Sequence, residues 1–247
     1  MVSIVPVDRE RLAGKGWLRP PGYSFAKSEA VVALVAAEFA NAALALPIGF
    51  VEQSGFFVPV MLTSPIPGRN FAVGPKGEWF PSYIPAVLRA YPFSLRSSAE
   101  GEATLSIDED LVVPADGTTE KFFNDDGSLA PAVSELLKLL RHVHENRIFT
   151  NQAAVALSDA GVIKRWNLVV PVGDRQVPVG GLYSVDEAAL NELDDAGLLA
   201  IRKALGVAYL QLASTGQVTA LSRLASVQEK ASQVLGRMSS SLSNLQQ

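Results

Sequence analysis

The order of strand-like and helix-like segments constrains the fold of this chain more than any other sequence feature. Short β-branched or aromatic segments bounded by glycine or proline are typical of strands joined by tight turns. They lie near residues 48–52, 56–63, 70–73, 93–96 and 103–107, and helical patterns follow at 131–146, 151–160, 185–194 and 196–214. Because regular βαβ alternation is missing, the sequence predicts an α+β fold, with short antiparallel strands in the N-terminal half and helices in the C-terminal half.

Two local features refine the predicted strands. Pro59 lies inside the segment 56–63, and because proline has no backbone N–H it predicts an edge strand or a bulge there. Residues 167–172 and 177–183 flank the turn sequence GDRQ, which begins at Gly173, so these two segments are predicted to pair as strands.

The longest apolar stretch covers residues 30–51 and approaches the length of a membrane span. Glu38, Asn41 and Pro47 would place a charge, an amide and a helix breaker within the hydrocarbon. We therefore predict no transmembrane span, and instead a buried helix from about Ser28 to Leu44.

Length and hydrophobic content predict a substantial core. The chain has 247 residues, of which 48% are hydrophobic, and this is compatible with one large domain or two small ones. The sequence changes from strand-like to helix-like segments near residues 119–126, but the connecting segment is too short to establish two domains. We predict a single domain over residues 1–225 and an amphipathic helical tail over residues 226–247.

The tail carries a seam of residues spaced by three and four. This spacing predicts either a coiled coil that joins copies of the chain or a helix docked on its own domain. The seam consists of Leu221, Leu224, Gln228, Ala231, Leu235, Met238, Leu242 and Leu245.

Charge and cysteine content narrow the classes of partner and compartment. The net charge of −4 predicts no nucleic-acid partner, because such affinity comes largely from clustered lysine and arginine. The absence of cysteine excludes disulfides and thiolate chemistry. The polar residues of MVSIVPVDRERL disfavour a signal peptide, so we expect a cytoplasmic protein, with surface association by another route left open.

The sequence contains no convincing catalytic motif. His142 and His144 lie two apart on a predicted helix, so their side chains diverge instead of converging on a metal. Ser24 and Lys27 have S-x-x-K spacing, but the companion motifs of that chemistry are missing. We predict no catalytic residues.

Metal and nucleotide sites lack support as well. The register of NDDGSL, with Gly127 at the sixth position of an EF-hand loop, puts Phe122 and Val133 where ligands are needed. The acidic run 108–110 would alternate faces on a strand. GKGWLR replaces the third glycine of a phosphate loop with Arg19. We therefore predict no metal and no cofactor.

The remaining segment with chemical potential is RNFAVGPKGEWFPSYIPAVLRAYPF, residues 69–93. Its aromatic side chains offer amphipathic surface, and its arginines offer forks for carboxylate, phosphate or carbonyl groups. Two interpretations stay open: the side chains bind a ligand or a partner, or they fasten an irregular loop to the core. The predicted binding residues are Arg69, Asn70, Trp79, Tyr83, Arg89, Tyr91 and Phe93.

The same segment, together with IVPVDRERLAGKGW, ALPIGFV, FFNDDGSL and GLYSVDEAALNEL, resembles the SapC family over roughly residues 4–225. These are bacterial proteins named for an association with surface-layer gene clusters. The resemblance implies no catalytic residues. It favours a non-catalytic binding or assembly protein with envelope or surface-layer links, and the alternative is an enzyme or enzyme accessory that handles a small or peptidic ligand. The partner is an unidentified protein or small molecule.

Overall fold

The computed structural model describes residues 3–97, 103–228 and 230–231, and it confirms the α+β class. The strands are β1 Ile4–Pro6, β2 Lys15–Trp17, β3 Val31–Ala33, β4 Ile48–Gln53, β5 Phe56–Leu62, β6 Phe93–Ser97, β7 Ala103–Asp108, β8 Val112–Pro114, β9 Glu120–Lys121, β10 Ile163–Arg165, β11 Val169–Val172, β12 Arg175–Pro178 and β13 Leu182–Val185. The α-helices are α1 Phe39–Ala42, α2 Ala86–Ala90, α3 Pro131–Asp159, α4 Glu187–Asn191, α5 Asp195–Ile201 and α6 Leu205–Ser214.

The chain divides into two compact units that interleave along the sequence. Unit 1 comprises Met1–Pro21 and Ala86–Arg147, and unit 2 comprises Gly22–Pro85 and Ile148–Gln247. The change from strand-like to helix-like segments near residues 119–126 therefore lies inside unit 1 and marks no boundary. The division into two units does not show whether they unfold together in one cooperative transition. The single domain over residues 1–225 therefore stays a prediction.

Unit 1 contains two antiparallel sheets, with strand orders β1-β7-β6 and β8-β2-β9. Aromatic side chains form its centre. Trp17 meets Phe93 edge to face at 4.9 Å between ring centroids, and Phe93 lies 6.3 Å from Phe122. Val133 and Leu140, from the first part of α3, pack into the same cluster.

Unit 2 contains a five-stranded antiparallel sheet of order β10-β13-β4-β5-β3 and the β11-β12 hairpin. Two buried polar side chains of α6 bond the sheet. Ser214 Oγ accepts from the Ile48 N–H at 2.9 Å, while the Gln211 amide donates to the Ile48 carbonyl at 3.0 Å and accepts from the Val185 N–H at 2.8 Å. These bonds satisfy backbone groups that the core would otherwise leave without partners.

The predicted helix from Ser28 to Leu44 is wrong. Residues 31–33 form β3, which pairs antiparallel with residues 60–62 of β5, and only the four residues of α1 are α-helical. Val31 and Val32 are β-branched, and pairing with a neighbouring strand buries them better than an isolated helical turn would.

Pro59, predicted to mark an edge or a bulge, makes no bulge but lies where the β3 side of β5 ends. β5 lies between β4 and β3, and its register with β4 is continuous. The N and O atoms of a residue in an antiparallel strand face the same neighbour. The Pro59 carbonyl accepts from the Leu34 N–H at 3.0 Å, just beyond the last β3 pair at Ala33. The prolyl nitrogen thus faces the end of the β3 row, so its missing N–H removes no bond between the paired residues of β3 and β5.

Helix boundaries differ from those predicted. The segments 131–146 and 151–160 form one continuous helix, α3, whereas 196–214 divides into α5 and α6. The break between α5 and α6 allows Ile201 and Val207 to enter the same core cluster.

The segment 177–183 contributes to two different strands. β12 ends at Pro178 and pairs with β11 as predicted, whereas β13 begins at Leu182 and joins the five-stranded sheet. Gly181, with φ of 70°, supplies the left-handed conformation between them.

No single described helix is long and apolar enough to span a membrane. The pair Asp195–Ile201 and Leu205–Gln228, bent by 85°, passes that length and composition test only when its two parts are taken together. Residues 218–228 and 230–231 are helical, whereas the later part of the predicted tail, from residue 232, lies outside the described residues.

Candidate binding site

The segment 70–73, predicted as a strand, is an irregular loop in unit 2. Its backbone is held by scattered contacts instead of a strand ladder. The Phe71 N–H donates to the Thr63 carbonyl at 3.1 Å, and Val73 forms an isolated bridge with Trp79. Such a loop must obtain its remaining hydrogen bonds from side chains, because it is buried away from water.

Asn70 and Gln228 supply those bonds. Asn70, which is 1% exposed, donates from Nδ2 to the Ala26 carbonyl and accepts at Oδ1 from the Ala72 N–H, both at 2.9 Å. The Gln228 amide donates to the Asn70 carbonyl at 3.0 Å and to the Val73 carbonyl at 2.7 Å. Both amides therefore fasten the loop.

Arg69, which begins the loop, is exposed and faces a cleft of about 620 Å³. Its guanidinium carbon lies 5.3 Å from the centroid of the buried Phe71 ring. Cation–π contacts of this kind contribute about 0.5–1 kcal/mol at exposed sites and orient the guanidinium. The cleft is lined by Arg69, Phe71, Val172, Gly173, Asp174, Arg175, Ala225 and Gln228.

The β11-β12 hairpin brings a second arginine to this cleft. Val172 pairs with Arg175 across a two-residue turn, and Gly173 has φ of 59°. Glycine at the first turn position is typical of a type II′ turn, whose twist matches that of the flanking strands. Within the described part of the chain, neither Arg69 nor Arg175 forms an ion pair. Asp174 is the one carboxylate among the described lining residues.

Trp79 and Tyr83 do not line the cleft. The Trp79 indole N–H donates to the Tyr83 carbonyl at 2.8 Å, and its ring lies 5.6 Å from that of Tyr23. The Tyr83 hydroxyl donates to Glu38 Oε1 at 2.8 Å, while Glu38 Oε2 accepts from the Val35 N–H at 3.0 Å. These polar groups already have internal partners, so both side chains fasten loops.

The last three predicted residues belong to unit 1. Arg89 is exposed on α2, and Phe93 is a core residue that is 3% exposed. The Tyr91 hydroxyl donates to Oδ2 of the buried Asp108 at 2.7 Å. Burial, followed by the hydrogen bond to Asp108, raises the pKa of Tyr91 to about 12. The binding role of the seven predicted residues stays a prediction.

The S-x-x-K pair and the NDDGSL segment, which gave only weak catalytic or metal-binding motifs, make hydrogen bonds within local loops and turns. The Lys27 ammonium donates to the Pro75 carbonyl at 3.2 Å. Asp126 accepts from the Ser128 hydroxyl at 2.6 Å within its own turn, which lowers the pKa of Asp126. Within the described ranges, no group of three or more histidine, cysteine, aspartate or glutamate residues could hold a metal ion.

Sequence reasoning missed Arg175, Asp174 and the role of Gln228. The turn at Gly173 was visible in the sequence, but its position beside Arg69 required the tertiary fold. For Gln228 the sequence predicts only a place in the seam of the tail. A polar residue in an apolar seam was the available signal, because a buried amide needs partners.

The family model described as SapC matches residues 7–221. No curated protein matches the chain, and no solved structure matches it.

Proposed function

The chain belongs to the SapC family, and from this premise we propose that it is a non-catalytic binding or assembly protein whose ligand site is the cleft at Arg69. The ligand carries a carboxylate or phosphate beside an apolar or aromatic group, and it is a small molecule or part of a peptide. The link to surface-layer or envelope function, and a cytoplasmic location, belong to this proposal.

The observation that carries the proposal is the pair of arginines at an open cleft above a buried aromatic ring. Arg69 is oriented by Phe71, and a tight turn places the backbone of Arg175 beside the cleft. A guanidinium binds a carboxylate or phosphate through two parallel N–H donors, and this geometry gives specificity as well as affinity. The half-buried Val172 supplies apolar surface for the rest of the ligand, while the buried Phe71 ring supports Arg69.

The chemistry of the lining favours binding over catalysis. Among the described lining residues, Asp174 is the one group that could act as a base, and no serine, threonine, lysine or histidine accompanies it. General acid–base or nucleophilic catalysis requires a positioned pair of such groups. The lining supports recognition of an anion without a reacting partner.

The test uses a matched pair of ligands on the full chain. N-acetylphenylalanine carries the carboxylate and the aromatic ring, and N-acetylphenylalaninamide lacks only the charge. We expect calorimetry or NMR titration to show stronger binding of the acid, and about tenfold weaker binding after Arg69→Ala or Arg175→Ala. Arg202→Ala removes an exposed arginine of the same unit and serves as the control.

Equal binding of the acid and the amide would contradict an anion site. An effect of Arg202→Ala equal to that of Arg69→Ala would show that only the net charge matters. Arg89→Ala separately tests whether the binding role predicted for that residue is real, since Arg89 belongs to unit 1.

Self-association through residues 226–247 is a further part of the proposal. Its test must retain Gln228, because that amide bonds to the Asn70 and Val73 carbonyls. A truncation that begins at residue 232 preserves these bonds. Light scattering should then report a smaller mass if the tail joins copies of the chain.

A further inference from the structure

Among the described residues, the outer half of β5 is paired along one edge and open along the other. β4 pairs along residues 56–61 of β5, whereas β3 covers only residues 60–62. The Leu34 N–H extends the β3 side by one bond, to the Pro59 carbonyl. Beyond Pro59, toward the hairpin tip, the β3 row ends.

The direction of the backbone groups identifies Phe57 as the residue that faces this open edge. Backbone groups of successive residues in an antiparallel strand alternate between its two neighbours. The Leu62 N–H donates to the Pro47 carbonyl on the β4 side, whereas the Pro59 carbonyl faces β3. Phe57 lies two residues before Pro59, so its backbone groups point in the same direction as those of Pro59. Its N–H and carbonyl therefore both face the open side. No described residue bonds either group.

Helix α3 forms the opposite wall at this edge. The chain that leaves β3 contacts α3 directly, since the Ala36 N–H donates to the Thr150 hydroxyl at 2.8 Å. Asn151, the next residue of the helix, and Val155, one turn after Asn151, line a groove of about 390 Å³ together with hairpin residues 53, 54 and 56–58. The groove therefore lies between the outer part of the β4-β5 hairpin, where the β3 side of β5 ends, and helix α3.

The groove is apolar and carries no charge on its described lining. Phe56 is 64% exposed and Val155 is 40% exposed, so both present apolar surface to solvent. Gln53 and Asn151 add amides that can bond a peptide backbone. A charged side chain would lose hydration here without gaining an opposite charge, so the lining selects uncharged residues.

We propose that this groove binds an extended, uncharged peptide segment of a protein partner, which adds to the sheet in line with β3. The Phe57 N–H and carbonyl supply two backbone hydrogen bonds, the pattern by which strand edges capture peptides. Alternate apolar side chains of the peptide enter the space between Phe56 and Val155. The site is separate from the Arg69 cleft and does not depend on the ligand proposed there.

A phage-displayed library of random dodecapeptides, selected against the full wild-type chain, tests this site. Binding of the selected peptides to the wild-type chain is compared with their binding to Val155→Asp. This substitution places a charge in the groove at an exposed helix position, where we expect the fold to be retained. The control is Leu199→Asp, which changes an exposed leucine of α5 that is 68% accessible and does not line the groove. Circular dichroism verifies that both variants fold.

We expect peptides with alternating apolar residues and few charges, which bind Val155→Asp at least tenfold more weakly and bind Leu199→Asp normally. Methylating the peptide nitrogen that pairs with the Phe57 carbonyl should remove binding, and the Phe57 amide resonance should shift on peptide addition. The proposal is overturned if no selected peptide distinguishes Val155→Asp from Leu199→Asp, or if the methylated peptides bind equally well. Failure of the selected peptides to shift the Phe57 amide resonance would likewise overturn the assignment to this edge.

Discussion

The two parts of the segment 69–93 have similar composition but are held in different ways. Residues 69–85 belong to unit 2, where side-chain amides of Asn70 and Gln228 satisfy an irregular backbone. Residues 86–93 belong to unit 1, where a short helix, a strand and the aromatic contacts of Phe93 provide the order.

This difference teaches where a binding site can form within the segment. In the second part, the Phe93 ring is buried in the core and the Tyr91 hydroxyl is hydrogen-bonded to Asp108. In the first part, amides hold the loop from below, so Arg69 can remain exposed at a cleft. Arg69 is available for binding because the side chains of Asn70 and Gln228 supply the hydrogen bonds that hold the loop.

Removing the aromatic core should have the largest effect. Phe93→Ala leaves a cavity beside Trp17 and Phe122, and we expect it to lower the free energy of unfolding by about 4 kcal/mol. Urea denaturation followed by tryptophan fluorescence measures the change. Val87→Ala, at a 43% exposed position in the same unit, should change stability by less than about 0.5 kcal/mol. A Phe93→Ala loss as small as that of the control would show that the aromatic cluster is not what holds this part.

Removing the loop amide should have the next largest effect. Asn70→Ala leaves the Ala26 carbonyl and the Ala72 N–H without their bonds, and we expect a loss of about 3 kcal/mol in the free energy of unfolding. Asn191→Ala, at an exposed position, is the control.

The same denaturation experiments address the domain prediction. If residues 1–225 form one domain, Phe93→Ala and Asn70→Ala shift a single transition, although they lie in different units. Two transitions, each sensitive to only one of the substitutions, would contradict that prediction.

The smallest effect concerns pH and Tyr91. The folded pKa, about 12, lies above the ordinary tyrosine value near 10, so the folded state holds its proton more tightly than the unfolded state. The resulting stabilisation is complete below pH 10 and is lost as pH rises from about 10 to 12. Tyr91→Phe should reduce the decline of stability in that window. Tyr209→Phe, which is 54% exposed, should retain the wild-type profile, and equal profiles for both variants would rule out the assignment to Tyr91.

Local chemistry allowed several elements to be predicted. The strands near residues 48–52, 56–63, 93–96 and 103–107 are confirmed as β4 to β7. Short runs of β-branched and aromatic residues between turn residues favour a strand over a helix. The hairpin after Gly173 is confirmed for the same reason. The helix predicted from Ser28 was wrong, since its alanine-rich pattern could not reveal that β5 offered a partner to residues 31–33.

The sequence by itself determined the α+β class, the turn residues and membership of the SapC family, since all three depend on short-range residue order. Only the tertiary structure decided which side chains of the segment 69–93 are available to a ligand. That depends on partners far away in the chain: Gln228 for the loop, Arg175 for the cleft and Asp108 for Tyr91. A side chain whose polar group is satisfied internally cannot be distinguished by sequence from one that faces solvent, because burial and hydrogen bonding are set by long-range contacts.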